Sequence, residues 1–246
     1  MSMDAGILLS EAGALNEFFA LQRDPVFRGV GIPRGDGRLV LVIPGLFGSD
    51  FYLEPLRSWL RRIGYRPVRS TMAINAGCPD RLRTQVESAL RRSMDRSPGR
   101  LAIIGHSRGG MLGWAIASRL QDQVSHLVLL GSPAPAVVAM MRSNPNPTQV
   151  RVAASAVANA GQRALRLLDP DCTVPACGCP YTVDLRRDLS PATRLLAVSS
   201  REDRVVGSRA TQVTSGENVT VTGTHSGLVY NRAVYPLIGR FLAPNG

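Results

Sequence analysis

Leu101-Ala102-Ile103-Ile104-Gly105-His106-Ser107-Arg108-Gly109-Gly110 carries a short apolar run into a serine flanked by glycines. A helix-compatible run, Gly110 to Leu120, follows. Strand, sharp turn and helix together form the setting in which Gly-x-Ser-x-Gly becomes a nucleophile elbow. The serine of such a turn sits in a strained backbone conformation, and larger flanking side chains would collide with neighbouring backbone. The expected result is a Ser107 hydroxyl held above a sheet, over the unpaired N–H groups of a helix N-terminus. The plain alternative is a structural glycine-rich turn. The strand before and the helix after favour the elbow.

An activated serine needs a base and an acid, in the chain order Ser, acid, His for this elbow. The chain has three histidines. His106 lies inside the elbow, where packing beside the turn is its expected role. His126 lies in the strand-like run Val124 to Leu130. His225 lies in Gly223-Thr224-His225-Ser226-Gly227, after the strand-like run Asn218 to Val221 and before a helix-like run, Leu228 to Leu242. Position and elimination make His225 the candidate base. The acid should follow the preceding strand, Arg194 to Ser199. Asp203 in the loop Ser200 to Val206 is the first choice and Glu202 the second.

An oxyanion hole needs two backbone N–H donors. Arg108, directly after the serine, is one candidate. The other comes from the loop after the apolar strand Arg38 to Ile43, which runs into Pro44-Gly45-Leu46-Phe47-Gly48-Ser49. Gly45 lets this backbone approach a substrate, Leu46 is the expected donor, and Phe47 is placed beside the pocket. The Arg108 side chain could cap that pocket or select an acidic acyl group.

With these residues in hand, the chain resembles the α/β-hydrolase fold superfamily, in its compact esterase and lipase form. The resemblance rests on Val40 to Leu46, Ile104 to Gly110, Leu129-Leu130-Gly131-Ser132-Pro133, Asp203-Arg204-Val205-Val206 and Glu217 to Leu228. It implies an α/β architecture: a mostly parallel central sheet with helices on both faces and a helical lid insertion. It also implies acyl transfer through Ser107 with no cofactor and no metal. Such enzymes more often carry His-Gly where this chain has Pro44-Gly45, and a small residue where it has Arg108. A carboxylester hydrolase acting on a small-molecule or lipid ester is the first functional reading. A thioesterase or acyltransferase with the same triad is the second, and a non-catalytic binding module on the same fold is the third.

The rest of the sequence fits this frame. At 246 residues, one domain with a full core is expected, with a lid or cap insertion at about 134–191. That insertion holds a proline-rich stretch, Ser143 to Pro147, and an alanine-rich helix candidate, Gln149 to Leu168. A plain helical connection is the alternative to a lid. An N-terminal helix is expected over residues 4–21. Net charge is +11, yet all 29 Lys and Arg positions are Arg and they are spread along the chain. Two groups, Arg61, Arg62, Arg66 and Arg69, and Arg91, Arg92, Arg96 and Arg100, read as solvated faces on or after helices. In the second helix Leu82, Val86, Ala89, Leu90 and Ser93 make a stripe of 3.6-residue period, and Glu87 is placed to pair with Arg91. No nucleic-acid motif is present, so no nucleic-acid partner is expected, while weak contact with an anionic membrane surface stays open. No apolar run approaches the roughly 18 residues of a membrane span, and Met1 to Ser10 lacks the features of a secretory signal, so a cytoplasmic location is expected. Cys78, Cys172, Cys177 and Cys179 do not form a paired C-x-x-C zinc motif. Reduced thiols, a disulfide and a structural metal all remain open for them.

Overall fold

Leu39-Val40-Leu41-Val42-Ile43 is buried on both sides, as a β-branched and leucine-rich run becomes when helices cover both faces of a parallel sheet. The computed structural model describes residues 13–97, 99–135 and 179–244. This strand is β1 (Leu39–Ile43), followed in sequence by β2 (Arg66–Arg69), β3 (Leu101–His106), β4 (Val124–Leu130), β5 (Arg194–Ser200) and β6 (Glu217–Val221). They form one six-stranded sheet in the order β2-β1-β3-β4-β5-β6. Every neighbouring pair is parallel.

The helices among the described residues are α1 (Gly13–Arg23), α2 (Glu54–Arg62), α3 (Pro79–Met94), α4 (Arg108–Leu120), α5 (Pro180–Asp184) and α6 (Val234–Phe241). The pleat of β1 divides its side chains between two cores. Val40 and Val42 pack with Leu21 of α1, Trp59 and Leu60 of α2, and Tyr235 and Ile238 of α6. Leu39, Leu41 and Ile43 pack with Val86 and Leu90 of α3, Leu112, Ala115 and Ile116 of α4, and Tyr181 of α5. Helices therefore cover both faces, as the sequence suggested. The chain runs outward from β1 to β2, then returns to lay β3 on the other side of β1. Such a reversal opens a crevice at the carboxyl ends of the two strands, where α/β sheets hold their ligands.

The structure departs from the sequence reading at several points. Strand β2 was not expected, because Arg66-Pro67-Val68-Arg69 is an edge segment with both arginines exposed and no buried run to mark it. The helix-like run from Leu228 to Leu242 is broken. Asn231 accepts the Ala233 N–H at 2.9 Å and so starts α6 only at Val234. Glu87 turns inward to Arg83, at 2.7 Å, and Arg119, at 3.4 Å, in place of Arg91. Arg57 and Arg83 are only 1% and 5% exposed and are held by carboxylates, so these two depart from the solvated-arginine pattern.

Residues 4–12 of the expected first helix lie outside the described residues, and α1 begins at Gly13. So do 136–178, which carry most of the expected lid insertion together with Cys172 and Cys177. Cys78 and Cys179 directly precede α3 and α5, whose first turns are joined by the Tyr181 N–H donating to Asp80 Oδ1 at 3.0 Å. Among the described residues, no helix is long and apolar enough to cross a membrane.

Candidate active site

β3 ends at His106, and Ser107 follows with φ 51° and ψ −123°, a left-handed conformation that is costly for any residue with a side chain. The neighbours of the turn hold it there. The Ser107 N–H donates to the Leu130 carbonyl at 2.8 Å. A Cβ on Gly105 would lie 2.4 Å from the Gly110 Cα, and one on Gly109 would lie 2.3 Å from the Pro44 carbonyl oxygen. These are backbone obstacles, so only glycine lets β3, the turn, α4 and the loop after β1 meet this closely.

His225 arrives on the loop after β6, and Asp203 on the loop after β5. His225 Nδ1 lies 2.7 Å from Asp203 Oδ2, and Nε2 lies 2.9 Å from Ser107 Oγ. A carboxylate can only accept, so Nδ1 carries the proton and Nε2 offers its lone pair to the serine hydroxyl. The second Asp203 oxygen accepts N–H bonds from Val205 and Val206 at 2.8 and 2.7 Å, which fixes the carboxylate plane. Glu202, the alternative acid, instead accepts the Gly223 N–H at 2.9 Å. The structure thus brings Ser107, His225 and Asp203 into one hydrogen-bonded chain and leaves Glu202 beside it.

His106 packs under the turn, buried as expected. Its Nε2 donates to the His225 carbonyl at 3.0 Å, so its Nδ1 is the acceptor for the Tyr52 hydroxyl at 2.5 Å. Burial first, and then the nearby His225, push the His106 pKa down to about 3, so its ring is neutral under ordinary conditions. His126 lies in β4, as expected. Arg38 donates to its Nδ1 at 2.8 Å.

The loop after β1 lies against the turn. A Cβ on Gly45 would sit 2.8 Å from His106 Nδ1 and 3.2 Å from Ser107 Cβ. The Phe47 N–H is committed to the Asn75 carbonyl at 3.0 Å, whereas the Leu46 N–H donates to no backbone carbonyl among the described residues. Phe47 itself takes a left-handed φ of 58° and is 43% exposed. Arg108 opens α4 directly after Ser107, and the Gly110 N–H of the same first turn donates to the Ser107 carbonyl at 3.0 Å.

The Arg108 side chain reaches sideways and donates to the carbonyls of Asn75 and Gly77 at 3.1 and 2.6 Å.

Sequence reasoning missed Asn75. This residue is fully buried, donates from Nδ2 to the Pro44 carbonyl at 2.7 Å, and donates its own N–H to the Gly48 carbonyl at 2.8 Å. It clamps the loop that carries Leu46, and nothing in Ile74-Asn75-Ala76-Gly77 marks it for that task. Among the described residues, no group of three or more His, Cys, Asp and Glu is arranged to hold a metal ion.

The model of the α/β hydrolase fold family matches residues 75–175. A search of curated proteins gives no significant match. Solved structures share the architecture at low identity. A thermophilic esterase from Thermogutta terrifontis is 15% identical with a TM-score of 0.53, covering 85% of this chain and 90% of that one. The Bacillus licheniformis lipase BlEst2 is 12% identical with a TM-score of 0.53, covering 87% and 95%. An α/β hydrolase fold protein from Nakamurella multipartita is 18% identical with a TM-score of 0.52, covering 86% and 94%. With its parallel sheet, its covering helices and this family match, the chain is an α/β-hydrolase-fold protein.

Proposed function

We propose that this protein is a serine-dependent carboxylester hydrolase that works through an acyl-enzyme on Ser107. The observation that carries the proposal is the unbroken hydrogen-bond chain from Asp203 through His225 to Ser107 Oγ. In this reading His225 Nε2 takes the hydroxyl proton as Ser107 Oγ attacks the ester carbonyl. Asp203 keeps Nδ1 protonated and stabilises the imidazolium that forms. The N–H groups of Leu46 and Arg108 receive the oxyanion. His225 then returns its proton to the departing alcohol, and a water activated by the same histidine releases the acid. Gly45 and Phe47 border the acyl pocket.

Two of the solved structures that share the fold are named an esterase and a lipase, and an ester substrate accords with them. Turnover of p-nitrophenyl esters is the direct test. Ser107→Ala is expected to lower kcat by about 10⁴-fold or more, and fluorophosphonate should label Ser107 in the native protein but not in His225→Ala. Activity surviving in Ser107→Ala would remove the proposal. Faster turnover of acyl-CoA thioesters, or an added alcohol that competes with water, would move it to the thioesterase or acyltransferase reading. A folded protein that neither labels nor turns over would favour a binding module.

A further inference from the structure

We propose that Glu17 of α1 is a positioning residue for His225, holding the loop that presents the imidazole to Ser107. The inference rests on the Ser107, His225 and Asp203 reading above and adds to it a residue from the far end of the chain. The Glu17 carboxylate lies inside the base loop. Its Oε1 accepts the Thr224 N–H at 2.7 Å, and its Oε2 accepts from Asn231 Nδ2 at 3.3 Å. The same Asn231 nitrogen donates to the Thr222 carbonyl at 2.6 Å, on the other side of the loop. Glycines make room for the carboxylate. A Cβ on Gly227 would lie 2.3 Å from Oε1, and one on Gly223 would lie 2.7 Å from Oε2.

The backbone just before His225 is therefore gripped by two carboxylates in succession. Glu202 takes the Gly223 N–H and Glu17 takes the Thr224 N–H. Hydrogen bonds to an ionised acceptor are roughly twice as strong as neutral ones. They act one and two residues from a ring whose 2.9 Å approach to Ser107 Oγ sets its usefulness as a base. The Phe18 ring of α1 also meets Tyr230 edge-on at 5.4 Å. Leu21 is the one buried side chain of the helix, while Leu15 and Phe19 stand 66% and 53% exposed. The helix contributes modestly to the core and delivers a carboxylate to the base loop.

Without the carboxylate, the Thr224 N–H loses its acceptor and the loop drifts. A displacement near 1 Å of a catalytic group costs up to about 100-fold in rate. Glu17→Ala is expected to lower kcat for a p-nitrophenyl ester about 10- to 100-fold and leave KM within about twofold. Glu17→Gln keeps an oxygen acceptor for the Thr224 N–H and is expected to restore kcat to within about threefold of wild type. Amide hydrogen exchange gives a readout independent of catalysis, with the Thr224 and His225 amides exchanging faster in Glu17→Ala than in wild type. Wild-type kcat in Glu17→Ala, a change confined to KM, or equal losses in the Ala and Gln variants would overturn the proposal. If the wild-type protein shows no esterase activity, the ester hydrolase reading fails first. Unchanged exchange at Thr224 would then overturn the Glu17 proposal on its own. Should Glu17→Ala not fold, Glu17→Asp, which withdraws the carboxylate by one methylene, carries the same expectations.

Discussion

Asn75 and Arg108 share a task at the residue scale, which is to hold the loop after β1 against the turn at Ser107. Asn75 bonds to that loop at the Pro44, Phe47 and Gly48 backbone, and Arg108 bonds to the backbone of Asn75 and Gly77. Asn75→Ala strands the buried Pro44 carbonyl, a loss of about 1–3 kcal/mol. It is also expected to lower kcat at least tenfold with little change in KM, since the loop carries the proposed Leu46 donor. Equal kcat in steady-state ester assays would show that the loop holds itself. The candidate catalytic residues were legible because few residues could fill each role. The motif named Ser107, a single loop histidine remained, and chain order pointed to the segment holding Asp203. Asn75 and Glu17 were not legible. Each acts through backbone atoms of a loop distant in sequence, and no spacing records such a contact. The buried state of Arg57 was equally hidden. Its side chain bonds to Asp50 at 3.2 Å and Glu54 at 2.6 Å, which a one-dimensional pattern reads as one more solvated arginine.

At the scale of elements, the strand, turn and helix around Ser107 were readable because glycine spacing is itself a statement about packing. Gly109 meets the Ile43 and Pro44 backbone, where nothing can rotate aside. Gly109→Ala must therefore part α4 from the end of β1. Overpacking of this kind costs about 1–3 kcal/mol. The variant is expected to lower the urea midpoint and to lose at least tenfold in ester turnover, with the stability loss read by circular dichroism. A variant with native stability and activity would mean that the turn is looser than its contacts indicate. Strand β2 was less readable because exposed arginines and a proline conceal an edge strand, whereas β1, β3, β4 and β5 announce themselves as buried apolar runs. The last helix was over-read. Its apolar residues continue through Asn231, but the side-chain bonds of that asparagine separate a short 3₁₀ turn, Ser226–Val229, from α6.

Across the whole molecule, two buried neutral histidines link the fold to pH. His106 is pushed down to about 3, chiefly by burial. His126 is pushed down to about 4 by burial, then by Arg38, Arg194 and Arg100. Both lie below the value of about 6.5 expected in an unfolded chain, so the unfolded state binds more protons between these limits. Their contribution to stability is complete above about pH 6.5 and is withdrawn as pH falls, by about 1.4 kcal/mol per unit for each ring. Urea unfolding at pH 7.5, 5.5 and 4.5 should show this loss, and a His126→Gln variant should show a shallower one. A flat profile would mean that these rings titrate freely in the native state. The position of the candidate site at the β1 and β3 reversal follows from the strand order alone. Its completion depends on the far end of the chain. Among the described strands β6 is the most C-terminal; it lies at the sheet edge beside β5, and His225 follows it. During synthesis the serine therefore emerges long before its proposed base, and most of the sheet can pair while the hydroxyl is still inert. The nascent chain would acquire reactivity only once β6 and the loop after it have docked, so covalent labelling would count molecules with the base in place and pass over those without it.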